Sequence, residues 1–131
     1  MIGNKLLLAI PSTAMYRAAM PDKELVAASS RPVVLSVLSR GESYGYAIIA
    51  EVKKLSGGSL EYTEGMLYPV LHRLEREGLI KSCWGESETG RKRKYYRLCR
   101  DGERALEDER EQWLGVHNTL AVLWGLKPCR I

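Results

Sequence analysis

Four glycine breaks divide this chain into pieces, and the hydrophobic periodicity inside each piece limits the element it can form. The breaks are Gly41, Ser56-Gly57-Gly58-Ser59, Gly78 and the polar stretch from Gly85 to Gly90. Glycine supplies the left-handed backbone that ends helices and closes turns, so elements are expected to stop at these points. Before Gly41, the residues Leu25, Val26, Val33, Val34, Leu35, Val37 and Leu38 suggest a buried helix between Glu24 and Ser39. Pro32 lies within that span, so either the helix starts near Pro32 or an earlier turn is kinked there. Ser43 can cap a second helix running to about Leu55, with Ile48, Ile49, Val52 and Leu55 at helical spacing. A third helix is expected from about Glu64 to Glu77, capped by Thr63, with Leu67, Val70, Leu71 and Leu74 on one face.

Past Gly78 the period changes. Leu79 to Trp84 and Lys94 to Leu98 read as paired strands, joined by a turn long enough to project as a flap. A last helix is expected from about Asp101 to Trp124, roughly 36 Å long at the usual rise. Leu106, Trp113 and Leu120 recur every seven residues along it, with Val116 and Leu123 between them. That is a coiled-coil-like seam, interrupted by Glu109 and stopped by Gly125 and Pro128. The fold class is therefore mainly α with a small β-hairpin.

Charge narrows the function classes. The net charge is +4, and its distribution is uneven. Between Tyr62 and Arg100 the chain carries nine basic and five acidic residues, whereas Asp101 to Glu111 carries six acidic and two basic. The first region can face phosphate and the second cannot. A chain of 131 residues makes one domain and has little left for a deep catalytic cleft. No phosphate-binding glycine loop, nucleophile elbow or metal-ligand spacing is present, so no enzyme, cofactor or metal site is expected. Cys83, Cys99 and Cys129 are odd in number and widely spaced, which fits free thiols in a reducing cytoplasm. Cys83 and Cys99 read as small apolar side chains in strands, with redox sensing as the alternative. Lys5 followed by Leu6 to Ile10 faintly suggests a signal peptide, but Pro11, Ser12 and Thr13 cut the apolar run short, and no stretch reaches a membrane span. Residues 1–20 are expected to be a poorly ordered extension, with Met20 as an alternative start.

Helix, helix, turn, helix, hairpin, helix is the order of a winged helix-turn-helix with an appended helix. In that arrangement the third helix enters the major groove, where base edges are distinguishable. Its first-turn amides can grip a phosphate. The hairpin brings Arg91, Lys92, Arg93 and Lys94 to the neighbouring backbone or minor groove. Each part has a plainer use. The four cations could be a solvated turn, and Arg73 and Arg76 could pair with Glu75 or Glu77. Tyr68-Pro69 could be packing alone, and Trp113 plain helix seam.

Residues from about Asp22 to Gly125 resemble the PadR family of transcriptional regulators, in its short form with one C-terminal helix. The resemblance is carried by Tyr44-Gly45-Tyr46, Gly65-Met66-Leu67-Tyr68-Pro69, Leu71, Arg73-Leu74-Glu75, Gly78-Leu79-Ile80, the run from Gly90 to Leu98, and Gly102. It implies a DNA-binding repressor acting as a homodimer, held by the C-terminal and first helices and released by a small molecule. On that pattern residues 21–100 form the DNA-binding domain, 101–125 the dimerisation helix and 126–131 a tail. The DNA-facing residues are then Tyr44, Thr63, Glu64, Gly65, Tyr68, Pro69, His72, Arg73, Arg91, Lys92, Arg93 and Lys94. Proline at 69 loses its bond to Gly65, and a local bend there could aim Thr63, Glu64 and Tyr68 at DNA. Glu64 could repel phosphate or accept from cytosine N4, and its role stays open. The dimer residues are Leu25, Leu106, Trp113, Val116, Leu120 and Leu123, with Trp113 able to stack on a small aromatic or drug-like effector. The chain departs from the family at Met66, where a hydroxyl is usual, and at Lys92, where proline is common. Cys99 replaces threonine, so the last helix cap is expected to move to Asp101. The competing function is a winged-helix protein-interaction module that has lost operator binding.

Overall fold

A computed structural model describes residues 21–127; the expected N-terminal extension, Cys129 and the tail beyond Lys127 lie outside the described residues. Helix α1 spans Lys23–Ser39, and the Asp22 carboxylate caps it by accepting the Glu24 N–H at 3.1 Å. The helix neither starts at Pro32 nor stops before it: Pro32 lies inside a single span. The missing proline N–H deprives the Ala28 carbonyl of its ladder bond. Gly41, at φ 143, follows the helix end as the sequence predicts.

The first departure comes next. Ser43 does not cap a helix; Ser43–Tyr44 form a short strand, β1. Its backbone pairs with a later strand, Ser43 opposite Tyr96 and Tyr44 opposite Tyr95, and the Tyr44 ring meets Tyr95 edge-on at 5.6 Å. Helix α2, Gly45–Leu55, therefore begins at Tyr44 with no side-chain cap. Gly57 and Gly58 turn the chain with φ 64 and 88, and α3 spans Glu64–Arg76. Thr63 caps α3 as expected, its Oγ1 accepting the Met66 N–H at 3.2 Å.

Strands β2 (Ile80–Glu86) and β3 (Lys92–Leu98) complete a three-stranded antiparallel sheet in the order β1-β3-β2, where the sequence suggests only a hairpin. Both strands extend two residues further toward the turn than their pattern predicts. Gly85 permits this, because a side chain there would press on the Tyr95 ring at 3.1 Å. The turn is held by Ser87, whose N–H donates to the Arg91 carbonyl at 2.8 Å and whose Oγ accepts the Arg91 N–H at 3.1 Å.

Helix α4 spans Arg100–Leu123 with Cys99 at its N-cap, so the cap has not moved to Asp101 and Cys99 is not in a strand. The Cys99 backbone is fixed instead by donating to the Leu79 carbonyl at 2.9 Å. Leu35, Ile48, Leu67, Leu71, Ile80 and Tyr96 form the centre of the core, where α1, α2 and α3 meet the sheet. Helix α4 runs antiparallel to α1, with Arg31 Nε 2.7 Å from Glu109 Oε2 and Trp113 beside Ser29 and Pro32. From that crossing α4 outruns the start of α1 by about two turns.

Candidate nucleic-acid interface

Helix α3 has one buried stripe, Leu67, Leu71 and Leu74, and the opposite stripe is open. Gly65, Pro69, His72, Arg73 and Arg76 lie exposed on it. Thr63 takes the Met66 amide, which leaves the first amides of the helix with no intrahelical partner. Met66 is itself exposed, so the position presents a thioether on the open side of the helix.

The acids that could have neutralised Arg73 and Arg76 are engaged elsewhere. Glu75 Oε2 accepts from Ser82 Oγ at 2.5 Å, tying α3 to β2. Glu77 pairs with Arg31 at 2.6 Å. Among the described residues neither Arg73 nor Arg76 has an ion pair, so the plainer use suggested for them is not the one observed. Arg76 was not among the expected site residues. Its position one turn beyond His72 and three residues beyond Arg73 was the available signal.

Tyr68 has a different position from the rest. It is half-buried, and a side chain on Gly45 would come within 2.5 Å of its hydroxyl. Tyr68 therefore seats the start of α2 against α3, and only glycine at 45 leaves room for it. Its ring also borders the outer cleft, 6.5 Å from the His72 ring.

Strand alternation divides the four consecutive cations. Lys92 and Lys94 lie on the sheet face shared with Ile80, Ser82 and Tyr96, which is turned toward α3. Arg93 lies on the opposite face, its guanidinium 4.1 Å from the centre of the Tyr44 ring. Only Arg91 belongs to the turn, exposed beyond the end of β3. The ladder reaches Lys92, so the cations alternate in direction along the strand, yet Arg91, Lys92, Arg93 and Lys94 all border one cleft. A cleft of about 720 Å³ opens between α3 and the sheet, bordered by Tyr46, Tyr68, His72, Trp84, Lys92 and Lys94. Tyr46 and Trp84 were missed by the sequence pattern, although both are large exposed apolar groups. At the base of the cleft the Tyr96 ring is buried, and its hydroxyl has no hydrogen-bond partner among the described residues. Burial, then the charges of Glu75 and Tyr68, push its pKa above the ordinary tyrosine value.

The expected dimer residues also divide. Leu25, Val116 and Leu123 are exposed, and Leu120 is half-buried. Leu106 instead packs on the core of its own chain. Trp113 borders an apolar hollow of about 460 Å³ with Pro32, Val33, Val37, Leu55 and Leu60. Cys83 is exposed on β2, so it does not serve as a packed apolar group. Among the described residues no cluster of three His, Cys, Asp or Glu could hold a metal, and no helix is long and apolar enough to cross a membrane.

Residues 34–108, from the second half of α1 into α4, match the model of the Transcriptional regulator PadR-like family. The Escherichia coli transcriptional regulator YqjI is 37% identical over 82 residues, 63% of this chain but 38% of YqjI, so the match spans well under half of that relative. A PadR-like transcriptional regulator from Bacillus cereus superposes with a TM-score of 0.69 at 31% identity, over 77% of this chain and 96% of its own. A transcriptional regulator from Clostridium thermocellum gives the same TM-score, 0.69, at 28% identity, over 75% of this chain and 95% of its own.

Proposed function

The chain belongs to the PadR-like family of transcriptional regulators, and we propose that it is a cytoplasmic repressor that binds operator DNA as a homodimer and releases it when a small aromatic or drug-like molecule binds. The observation that carries the DNA-binding part is the pair of exposed guanidiniums, Arg73 and Arg76, without an ion pair among the described residues, on the open stripe of α3 near the cleft that Lys92 and Lys94 border. Residues 21–100 act as the reading head and 101–125 as the dimerisation helix.

Helix α3 enters the major groove. Arg73 and Arg76 are suited to bidentate contact with guanine O6 and N7, and exposed Met66 to a thymine methyl. Gly65 and Pro69 keep the helix surface low, so the backbone can approach the bases. Lys92, Lys94 and Arg91 neutralise phosphates, while Arg93 steadies β1 through Tyr44. Glu64, at the start of α3, disfavours a phosphate beside it and can accept from cytosine N4.

Two copies join through the end of α4, where Val116, Leu120 and Leu123, with Leu25, supply apolar surface. The effector occupies the hollow bordered by Trp113, whose volume of about 460 Å³ suits one small flat molecule. Leu55 and Leu60 border the same hollow and flank the turn leading into α3. A ligand that fits it better in one orientation of α3 than in another would change operator affinity. Exposed Met66 favours the rival function, a winged-helix interaction module, because it removes one polar DNA contact.

Fluorescence anisotropy against a duplex from upstream of the gene, with a scrambled duplex as control, tests the proposal across a salt series. Saturable, sequence-dependent binding is expected, and Arg91→Ala should lower the slope of log K against log salt by about 1. Equal, weak binding to both duplexes would leave the interaction module as the better account.

A further inference from the structure

Trp84 is the largest apolar side chain left open near the α3–sheet cleft, 69% exposed in the middle of a strand. Its surroundings say what could cover it. The register pairs Trp84 with Lys94, so the indole lies on the sheet face turned toward α3. Ser82, two residues back on that face, touches Glu75 of α3. Trp84 stands about 7 Å further out along the strand. There it borders the cleft that holds Tyr68 and His72, and also a second hollow with Gly85, Glu86 and Lys92.

Two of the nearby cations are directed to other rings. Arg93 stacks on Tyr44, and the Lys94 ammonium lies 5.8 Å from the Tyr96 ring. The site therefore offers a flat apolar surface with one N–H donor, flanked by Lys92 and Lys94. Its complement is a ligand with apolar C–H groups next to negative charge, and a nucleotide strand has that alternation of sugar and phosphate. Glu86, opposite Lys92 near the turn, disfavours an anion further out and directs the phosphate to the Lys94 side.

We propose that Trp84 is a DNA-backbone contact: its indole face covers a deoxyribose, and its Nε1–H donates to the adjoining phosphate where a strand enters the cleft between α3 and the wing. The inference rests on the operator-binding function proposed above and adds to it a contact that carries affinity without sequence information. An N–H donor releases no counterion, so its contribution should not depend on salt as a cation's does.

The test compares wild type, Trp84→Ala, Trp84→Phe and Lys94→Ala on the upstream and scrambled duplexes over a salt series. Unchanged circular dichroism is expected for both Trp84 variants, since the side chain is exposed. Trp84→Ala should weaken binding roughly tenfold on both duplexes, with a salt slope parallel to wild type. Trp84→Phe, which keeps the ring face and loses the donor, should lie between the two. Lys94→Ala should flatten the slope. Wild-type affinity in Trp84→Ala would overturn the contact and leave operator binding intact. A loss accompanied by a flattened slope would also overturn it, because the residue would then act only by holding the lysines. A wild type that binds neither duplex at any salt would remove the operator-binding function, and the Trp84 contact with it.

Discussion

Replacing Gly102 with alanine sets two effects of opposite sign against each other. Gly102 is buried in the first turn of α4, away from any turn or positive φ. In an open helix the change would help, since alanine is favoured over glycine by about 1 kcal/mol. Here the added methyl would overlap the Leu79 carbonyl oxygen and lie 2.7 Å from Leu98 Cδ1. The Leu98 side chain can move, but the Leu79 carbonyl cannot move cheaply. It accepts the Cys99 N–H at 2.9 Å and lies at the junction of α3 and β2. Relief requires α4 to lift away from that junction. Overpacking of this kind costs roughly 1–3 kcal/mol, and losing the Cys99 bond adds about 1 kcal/mol. The clash outweighs the propensity gain, so Gly102→Ala should destabilise by about 1–3 kcal/mol. For a chain of this size the melting temperature should fall by on the order of 10 °C. Urea unfolding followed by far-ultraviolet circular dichroism would show a lower midpoint at an unchanged slope. A variant as stable as wild type, or more so, would mean that helix propensity dominates and that α4 is not seated on Leu79 as described.

Three further substitutions test other parts of the structure. Tyr96→Phe removes a buried hydroxyl without a partner among the described residues, and should be neutral or stabilising by about 1 kcal/mol at pH 8. Because the folded-state pKa is raised for a group that is neutral when protonated, Tyr96 contributes nothing to pH dependence below its ordinary value of 10.0 and lowers stability as pH rises from there toward the folded value. Urea midpoints of Tyr96→Phe should therefore fall less above pH 10 than those of wild type, and an identical alkaline decline would refute the assignment. Arg31→Ala removes two ion pairs, to Glu77 and Glu109, and should cost about 1 kcal/mol at low salt and less in concentrated salt. A loss independent of salt would point to packing of the arginine stem instead. Leu123→Asp, at a side chain 73% exposed within its own chain, should leave the fold intact and convert the proposed dimer to monomer in light-scattering chromatography. A variant that still runs as a dimer would move the interface elsewhere.

Local requirements were legible in the sequence. Gly41, the Gly57-Gly58 pair and Gly78 adopt positive φ where the glycine breaks predicted ends. Thr63 caps α3, and Leu67, Leu71 and Leu74 form its buried face. Features that depend on a distant partner were not. Strand β1 has only two residues and exists because β3 offers a free edge more than 50 positions later. Arg31 meets Glu77 across 46 residues, and no local pattern links them. That pairing, with Ser82 on Glu75, occupies the neighbouring acids, and Arg73 and Arg76 have no ion pair among the described residues. The seven-residue stripe of α4 was real, but spacing says only that a face is covered, not which chain covers it. Leu106 and Trp113 are covered by their own α1 and core. The wing differs from its pattern only in bounds: β3 starts at Lys92 and not at Lys94, so the four cations alternate along the strand while still bordering one cleft.

Two of the contacts that hold α4 to the rest of the chain lie at the C-terminal end of α3. Gly102 sits against Leu79, and Arg31 joins Glu109 to Glu77, the residues on either side of Gly78. A turn of α4 about its own axis would break one of these contacts unless the C-terminal end of α3 moved with it. In the homodimer proposed above, the pairing of two α4 helices would then fix the separation of two recognition helices, and with it the spacing of the operator half-sites. The apolar hollow at Trp113 lies one turn beyond Glu109, where α4 still packs on α1. Filling it would strain the α1–α4 contact, which reaches α3 through Arg31, as well as the turn between Leu55 and Leu60 that leads into α3. Loss of the Arg31 bridge should therefore weaken the effect of an effector on operator affinity more than it weakens operator affinity itself.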